Sequence, residues 1–286
     1  MSESPAHVRT AAPPGRSPAA ISAEGVSKVF RRGSAEVRAL DSVDLEVGEG
    51  EFIAVLGPSG CGKSTLMRLC AGLLPATTGR IAVSGVPVKG PHTDLGIVFQ
   101  AATLLDWRTV LGNVLLQVEM RGLDPAAYEG RARALLDAVG LGEFATAFPR
   151  ELSGGMKQRA AIVRALVHDP GILLMDEPFG ALDALTREQM RIDLEELWLA
   201  SRKTVMFITH SIDEAVPLAD RVVVMSPRPG RIERIIGIDQ PRPRGLEGRR
   251  AKGFAEVSDL ITGIFLDRGV LHGTRAAFSQ SLRAGA

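Results

Sequence analysis

The chain has only two cysteines, Cys61 and Cys70, in 286 residues. If the segment between them is helical, they lie about 13 Å apart along its axis, too far for a disulfide. That scarcity fits a reducing compartment. Long apolar runs are also missing. Runs such as 172–175 and 222–225 fall far short of the roughly 20 residues that a membrane-spanning helix needs. The first twenty residues, MSESPAHVRTAAPPGRSPAA, hold no continuous apolar stretch and do not read as a secretory signal. A dominant charge is missing too: the formal net charge is +1, so the overall balance does not suggest a nucleic-acid partner. There is no internal repeat and no long heptad run.

What is present is enough for a substantial core. Hydrophobic residues make up 45% of the chain and charged residues 23%, and the length suits one large or two small domains. Short apolar runs with turn signals open the folded part: ISAEGVSKVF, EVRALDSVDLEV, then EFIAVLG, with Gly48-Glu49-Gly50 as a turn. A helix is expected over 63–72, closed by Gly72 and Pro75. Strands at 80–84 and 96–99 follow. From about 111 to 166 the pattern is helical, with breaks at Gly122, Gly140 and Pro149. Strands and helices then alternate through GILLMDE, TREQMRIDLEELWLAS, KTVMFITH, SIDEAVPLA and DRVVVMS. Alternation of this kind implies a parallel sheet flanked by helices, here interrupted by a helical insert.

Gly57-Pro58-Ser59-Gly60-Cys61-Gly62-Lys63-Ser64-Thr65 matches the P-loop pattern between a strand and a helix. Glycines let backbone N–H groups face phosphates, Lys63 supplies a point charge, and the Ser64 hydroxyl can ligate Mg²⁺. Cys61 stands near a helix N-terminus, where a thiolate is favoured; it is either a reactive thiol or an inert packing residue. The apolar run 172–175 ends in Asp176-Glu177. Carboxylates there sit at the ligand edge of an α/β sheet, Asp176 to hold Mg²⁺ or its water and Glu177 to act as general base. A second helix start, Ser153-Gly154-Gly155, also has the makings of an anion site. Ser153 also suits a plain N-cap.

A P-loop, a later LSGG helix start, an LLMDEP strand and a strand ending in ITH, in that order, resemble the ATPase subunits of ABC transporters over roughly residues 21–236. The resemblance implies an α/β fold: a P-loop NTPase (RecA-like) core with an antiparallel β subdomain and an inserted helical subdomain. It also implies ATP and Mg²⁺ as cofactors and a head-to-tail pair of ATPase subunits. In such a pair Ser153, Gly154 and Gly155 cap the γ-phosphate held by the partner's P-loop. Phe30 resembles the aromatic that stacks on adenine, Gln100 the glutamine that touches Mg²⁺ and senses the membrane partner, Asp183 the acidic residue that crosses the dimer interface, and His210 the switch histidine at the γ-phosphate. Leu104, Leu105 and Trp107 resemble the groove that receives a permease helix; as residues alone they also suit the core of the insert.

Leu105-x-Trp107-x-Thr109-Val110 and MSPRPGRI resemble the nitrate/sulfonate/taurine import group, with Asp106 where that group is expected to carry proline. The implied setting is the cytoplasmic face of the cell membrane, bound to integral permease subunits and served indirectly by an extracytoplasmic solute-binding protein. The competing readings are a soluble ABC-type ATPase not coupled to transport, and a GTPase or nucleotide kinase, which leaves the LSGG helix and His210 unexplained. The expected organisation is a disordered extension over 1–20, an ATPase domain over 21–240 with its helical insert at about 101–166, and a tail over 241–286. In the tail a basic patch and an amphipathic stretch at 254–266 are expected to be solvated or to meet lipid headgroups.

Overall fold

The computed structural model describes residues 19–33 and 35–271. The extension expected over 1–20 lies outside the described residues up to residue 18, and Ala19 and Ala20 already belong to the first strand.

Two sheets form. In the first, β1 (Ala19–Arg32) and β2 (Ala35–Gly48) make a long antiparallel pair. β4 (Thr78–Val83) and β5 (Val86–Pro87) complete it, in the order β2-β1-β4-β5. The second sheet has six strands: β3 (Phe52–Leu56), β6 (Leu95–Val98), β7 (Ile172–Asp176), β8 (Thr204–Thr209), β9 (Arg221–Met225) and β10 (Ile232–Gly237). Their order is β10-β9-β3-β8-β7-β6, and all pairs are parallel except β10 on β9. Every residue of β3, β7, β8 and β9 is buried, as a sheet covered on both faces requires.

The period of two divides the core. Phe52, Ala54 and Leu56 face one layer; Ile53 and Val55 face the other. The second layer holds α1 (Lys63–Cys70), which buries Leu66, Met67, Leu69 and Cys70 against the antiparallel sheet. The first holds α5 (Ala184–Ser201) and α6 (Ile212–Leu218); Trp198 of α5 meets Phe52 edge-on at 5.8 Å. The insert has its own core, made by α2 (Val110–Met120), α3 (Pro125–Ala138) and α4 (Gly154–Leu166). The breaks expected at Gly122 and Gly140 are residues at φ 70 and φ 69, and Pro149 opens a single 3₁₀ turn.

The region from 241 departs from the expected solvated tail. A last helix, α7 (Lys252–Asp267), buries Ile261 and Phe265 in the first layer beside α6. Burial of two such side chains is worth about 1.5–3 kcal/mol each. Ahead of it, the Arg242 guanidinium lies 4.3 Å from the Trp198 ring centre and pairs with Glu195 and Asp220. Arg244 is buried and donates to the carbonyls of Val216, Pro217 and Ala219. Desolvation pushes its pKa down to about 10. Arg242 and Arg244, read as solvated from composition, have buried side chains that donate to main-chain carbonyls at the end of α6, while Arg250 of the same patch stays exposed. Residues 272–286 lie outside the described residues.

Candidate functional site

Register brings the site together. Leu56 at the end of β3 pairs with Thr209 at the end of β8, and Asp176 at the end of β7 pairs with Ile208. The P-loop, Asp176-Glu177 and Thr209-His210 therefore leave the sheet at one edge, the carboxyl edge, where parallel α/β sheets bind ligands.

The turn from β3 into α1 depends on Gly62. It is the N-cap, at φ 109, and a Cβ there would come within 2.7 Å of Leu40 and 2.8 Å of the Ala39 carbonyl. No side chain caps this helix start, which leaves its first N–H groups for an anion. Lys63 is buried; its ammonium donates to the carbonyls of Gly57 at 2.8 Å and Pro58 at 3.1 Å and lies 3.7 Å from Glu177 Oε1. Ser64 Oγ donates to Asp176 Oδ1 at 2.7 Å. A hydroxyl and a carboxylate side by side are hard oxygen donors. Among the described residues no group of three or more His, Cys, Asp or Glu is placed to hold a metal ion. That donor set suits Mg²⁺, which keeps waters and shares phosphate oxygens instead of sitting in an all-protein cage.

Glu177 follows Asp176 with φ 46, a left-handed conformation that costs a non-glycine residue about 1–3 kcal/mol and clusters at functional sites. Its N–H donates to the Ile208 carbonyl at 2.9 Å, which holds the turn. The carboxylate lies between two groups, Lys63 on one oxygen and His210 Nδ1 at 3.1 Å on the other. His210 is half-exposed. Behind it Thr209 Oγ1 donates to Glu214, whose carboxyl burial pushes above its usual range.

A cavity of about 420 Å³ lies beside these groups. Ser59, Gly60, Gly62, Lys63, Ser64, Thr65, Gln100 and Glu177 line its polar side, and Phe30, Val37 and Ala39 its apolar side. Phe30 is 40% exposed, with the Lys28 ammonium 5.2 Å from its ring centre. Gln100 is steadied from α4: Gln158 donates to the Phe99 carbonyl, and buried Arg164 donates to the carbonyls of Ala102 and Thr103. Gly57, Pro58, Cys61, Asp176 and His210 do not line the cavity itself. Cys61 packs under the loop, and burial pushes its thiol up, the opposite of the thiolate expected at a helix start.

Ser153, Gly154, Gly155 and Asp183 stand apart from this cavity. Ser153 Oγ accepts from the Met156 N–H at 3.3 Å as the N-cap of α4, and both Ser153 and Gly154 are exposed. Gly155 packs against Thr186, where a Cβ would come within 2.6 Å. Asp183 caps α5 by accepting from the N–H groups of Leu185 and Thr186; hydrogen bonds from Thr186 hold its carboxyl below the usual range. The α4 and α5 starts are thus neighbours that present a face of their own.

Sequence reading missed three cavity residues, Val37, Ala39 and Arg228. The first two are ordinary strand residues with no chemical signal. Arg228 sits in the MSPRPGRI stretch, whose sequence points only to a transport group.

Comparison with known proteins decides the family. The ABC transporter family model matches residues 40–180. An ABC transporter ATP-binding protein of Methanocaldococcus jannaschii is 48% identical over 247 residues, 86% of this chain and 91% of its own. The chain belongs to the ABC transporter ATP-binding family. The taurine import ATP-binding protein of Rhizobium johnstonii is 49% identical over 240 residues, covering 83% of this chain and 90% of its own. Among solved structures, the dimeric ATP-binding cassette MJ0796 in a post-hydrolysis state, bound to ADP and Pi, has a TM-score of 0.68 at 32% identity. It covers 77% of this chain and 100% of its own. The P-loop NTPase core, the antiparallel β subdomain and the ATP-hydrolysing activity follow from that membership.

Proposed function

We propose that this ABC ATPase powers a membrane importer for a small anion such as taurine, another sulfonate or nitrate. It works as a head-to-tail pair at the cytoplasmic face of the cell membrane. Support for the pair comes from the α4 helix start, which is exposed and lies outside its own chain's nucleotide cavity. An anion site so placed serves a second chain, and the MJ0796 cassette of the same fold is dimeric. Support for the anion class comes from the taurine import relatives.

In this reading Phe30 stacks on adenine, the P-loop amides and Lys63 hold the phosphates, and the partner's signature helix caps the γ-phosphate. Ser64 and Asp176, with Gln100 beside them, would hold Mg²⁺, which neutralises charge on the phosphate oxygens when bound. Glu177 accepts the proton of the attacking water, and His210, on the other carboxylate oxygen, steadies Glu177 and reaches the γ-phosphate. A pair that closes on ATP and reopens after hydrolysis moves whatever is docked on it.

The observation that carries the transport reading is Trp107. It follows the segment held by Arg164 and is 75% exposed, so it is not core of the insert. No helix among the described residues is long and apolar enough to cross a membrane, so a permease partner must supply the path. An exposed indole is a common hot spot for a docked helix. Detergent-solubilised membranes tagged on this chain test the reading. The tagged parent chain should recover integral permease subunits, and Trp107→Ala should recover several-fold less while melting within about 2 °C of the parent. Equal recovery would remove Trp107 from the interface. Recovery of no integral membrane protein by the parent would favour a soluble ABC-type ATPase. The solute-binding protein encoded with the recovered permease, assayed with taurine, other sulfonates and nitrate, identifies the cargo.

A further inference from the structure

The nucleotide cavity has a cation that the P-loop does not supply. Arg228 lines it with Phe30, Ala39, Gly60, Lys63 and Thr65. It reaches the loop across 168 residues of sequence: its Nε donates to the Gly60 carbonyl at 3.2 Å. Its Nη2 lies 3.1 Å from where a Cβ on Gly60 would stand, so the absent side chain is what lets the guanidinium lie on the loop. That Gly60 bond is the guanidinium's hydrogen bond among the described residues; no carboxylate there pairs with it. Of its five N–H donors, four remain for another acceptor.

The turn that carries Arg228 is fixed on both sides. It closes on itself, with the Ser226 N–H donating to the Arg231 carbonyl and the Arg231 N–H to Ser226 Oγ, both at 2.9 Å. It is joined to β2 by Gly230 N–H to the Ala39 carbonyl at 2.9 Å, Asp41 N–H to the Gly230 carbonyl at 3.0 Å, and an Arg231–Asp41 ion pair. Gly230 lies against the P-loop itself, where a Cβ would meet the Cys61 carbonyl at 1.9 Å. Pro227 and Pro229 restrict the backbone on either side of Arg228. A cationic side chain is thus delivered to the cavity rim by a turn built against two of the cavity's walls.

A planar guanidinium with free N–H groups matches phosphate oxygens as a fork, where an ammonium acts only as a point charge. The cavity already holds the cradle and Lys63, so the ligand chemistry at hand is a polyphosphate. We propose that Arg228 is a nucleotide-binding residue: its Nη groups contact the polyphosphate of the bound nucleoside triphosphate while its Nε holds Gly60 in place. The inference rests on the reading of this cavity as the ATP site. It adds to the P-loop a second cation from the connection between β9 and β10.

Equilibrium binding of ATP, ADP and AMP to the purified full chain tests it, with Arg228→Ala, Arg228→Gln and Arg228→Lys beside the parent, each checked by thermal melting. Arg228→Ala and Arg228→Gln should bind ATP about tenfold more weakly, ADP several-fold more weakly and AMP almost unchanged. Arg228→Lys should recover part of the loss, because it restores charge without the fork. Melting temperatures should stay within about 2 °C of the parent. Unchanged ATP affinity in Arg228→Ala overturns the inference, as does an equal loss for AMP and ATP, which would mean that the turn only shapes the loop. Loss of the ATP-dependent pair with intact ATP affinity in the single chain also overturns it, by assigning the guanidinium to the partner. If the parent binds none of the three nucleotides, the ATP reading of the cavity falls and this inference with it.

Discussion

Glu177 Oε2 and His210 Nδ1 stand 3.1 Å apart across two strand ends, while the other oxygen of Glu177 lies 3.7 Å from the Lys63 ammonium. One carboxylate thus links the loop after β7, the loop after β8 and the P-loop. With Glu177 as the proposed proton acceptor, Glu177→Gln keeps the shape and removes that function, so ATP hydrolysis should fall at least about 100-fold with ATP affinity retained. Lys63→Ala should weaken ATP binding itself, since it removes the point charge from the cradle. Steady-state phosphate release and equilibrium binding separate the two effects. Hydrolysis by Glu177→Gln at the parent rate would show that the base is elsewhere.

The exposed start of α4 leads to a prediction about assembly. In the proposed head-to-tail pair, Glu177→Gln with ATP should sediment as a dimer, because the nucleotide that would close the pair is no longer consumed. Adding Ser153→Arg should return it to monomer by crowding the γ-phosphate that the helix start would cap. Sedimentation velocity reads this directly, and a dimer that survives Ser153→Arg would leave Ser153 as a plain helix cap.

His168 makes stability sensitive to acid. Its Nε2 lies 2.8 Å from Arg121 Nη2 at the junction of the insert with β6, and its Nδ1 is buried without a hydrogen-bond partner. Burial, then the Arg121 charge, lowers its pKa from 6.5 to about 4. The unfolded chain therefore binds a proton more readily than the folded one between those values. The stabilisation is complete above about pH 6.5 and is lost as pH falls towards 4. The melting temperature of the parent should drop more steeply from pH 6.5 to 5 than that of His168→Gln. Parallel curves for the two would mean that this imidazole does not carry the effect.

Cys61 should behave as a packing residue. Burial raises its thiol, and Cys70 is pushed up to about 12. A thiol reagent at pH 7 should therefore find almost no fast-reacting cysteine in the folded chain and two after denaturation. Rapid modification of Cys61 in the native protein, located by mass, would contradict this.

Much of the candidate site was legible in the sequence because its parts are local. The P-loop, Asp176-Glu177 and the ITH strand end are short runs of consecutive residues, and the register of β3, β7 and β8 brings them to one sheet edge, while Ser153-Gly154-Gly155 starts a helix of its own. Periodicity likewise exposed the alternating strands and helices and the insert, since a buried strand or an amphipathic helix must write its pattern into consecutive residues. Tertiary structure alone decided what depends on residues far apart. Arg164 on α4 steadies the segment after Gln100, Arg228 lies on Gly60 from the far side of the chain, and Arg242 and Arg244 are buried against α5 and α6. In each case an arginine with no local pattern is fixed by carbonyls, carboxylates or rings brought near by the fold. The environment of Cys61 was decided in the same way: the local rule for a helix start favours a thiolate, and the packing of β3, α1 and the Gly230 turn around it imposes the reverse.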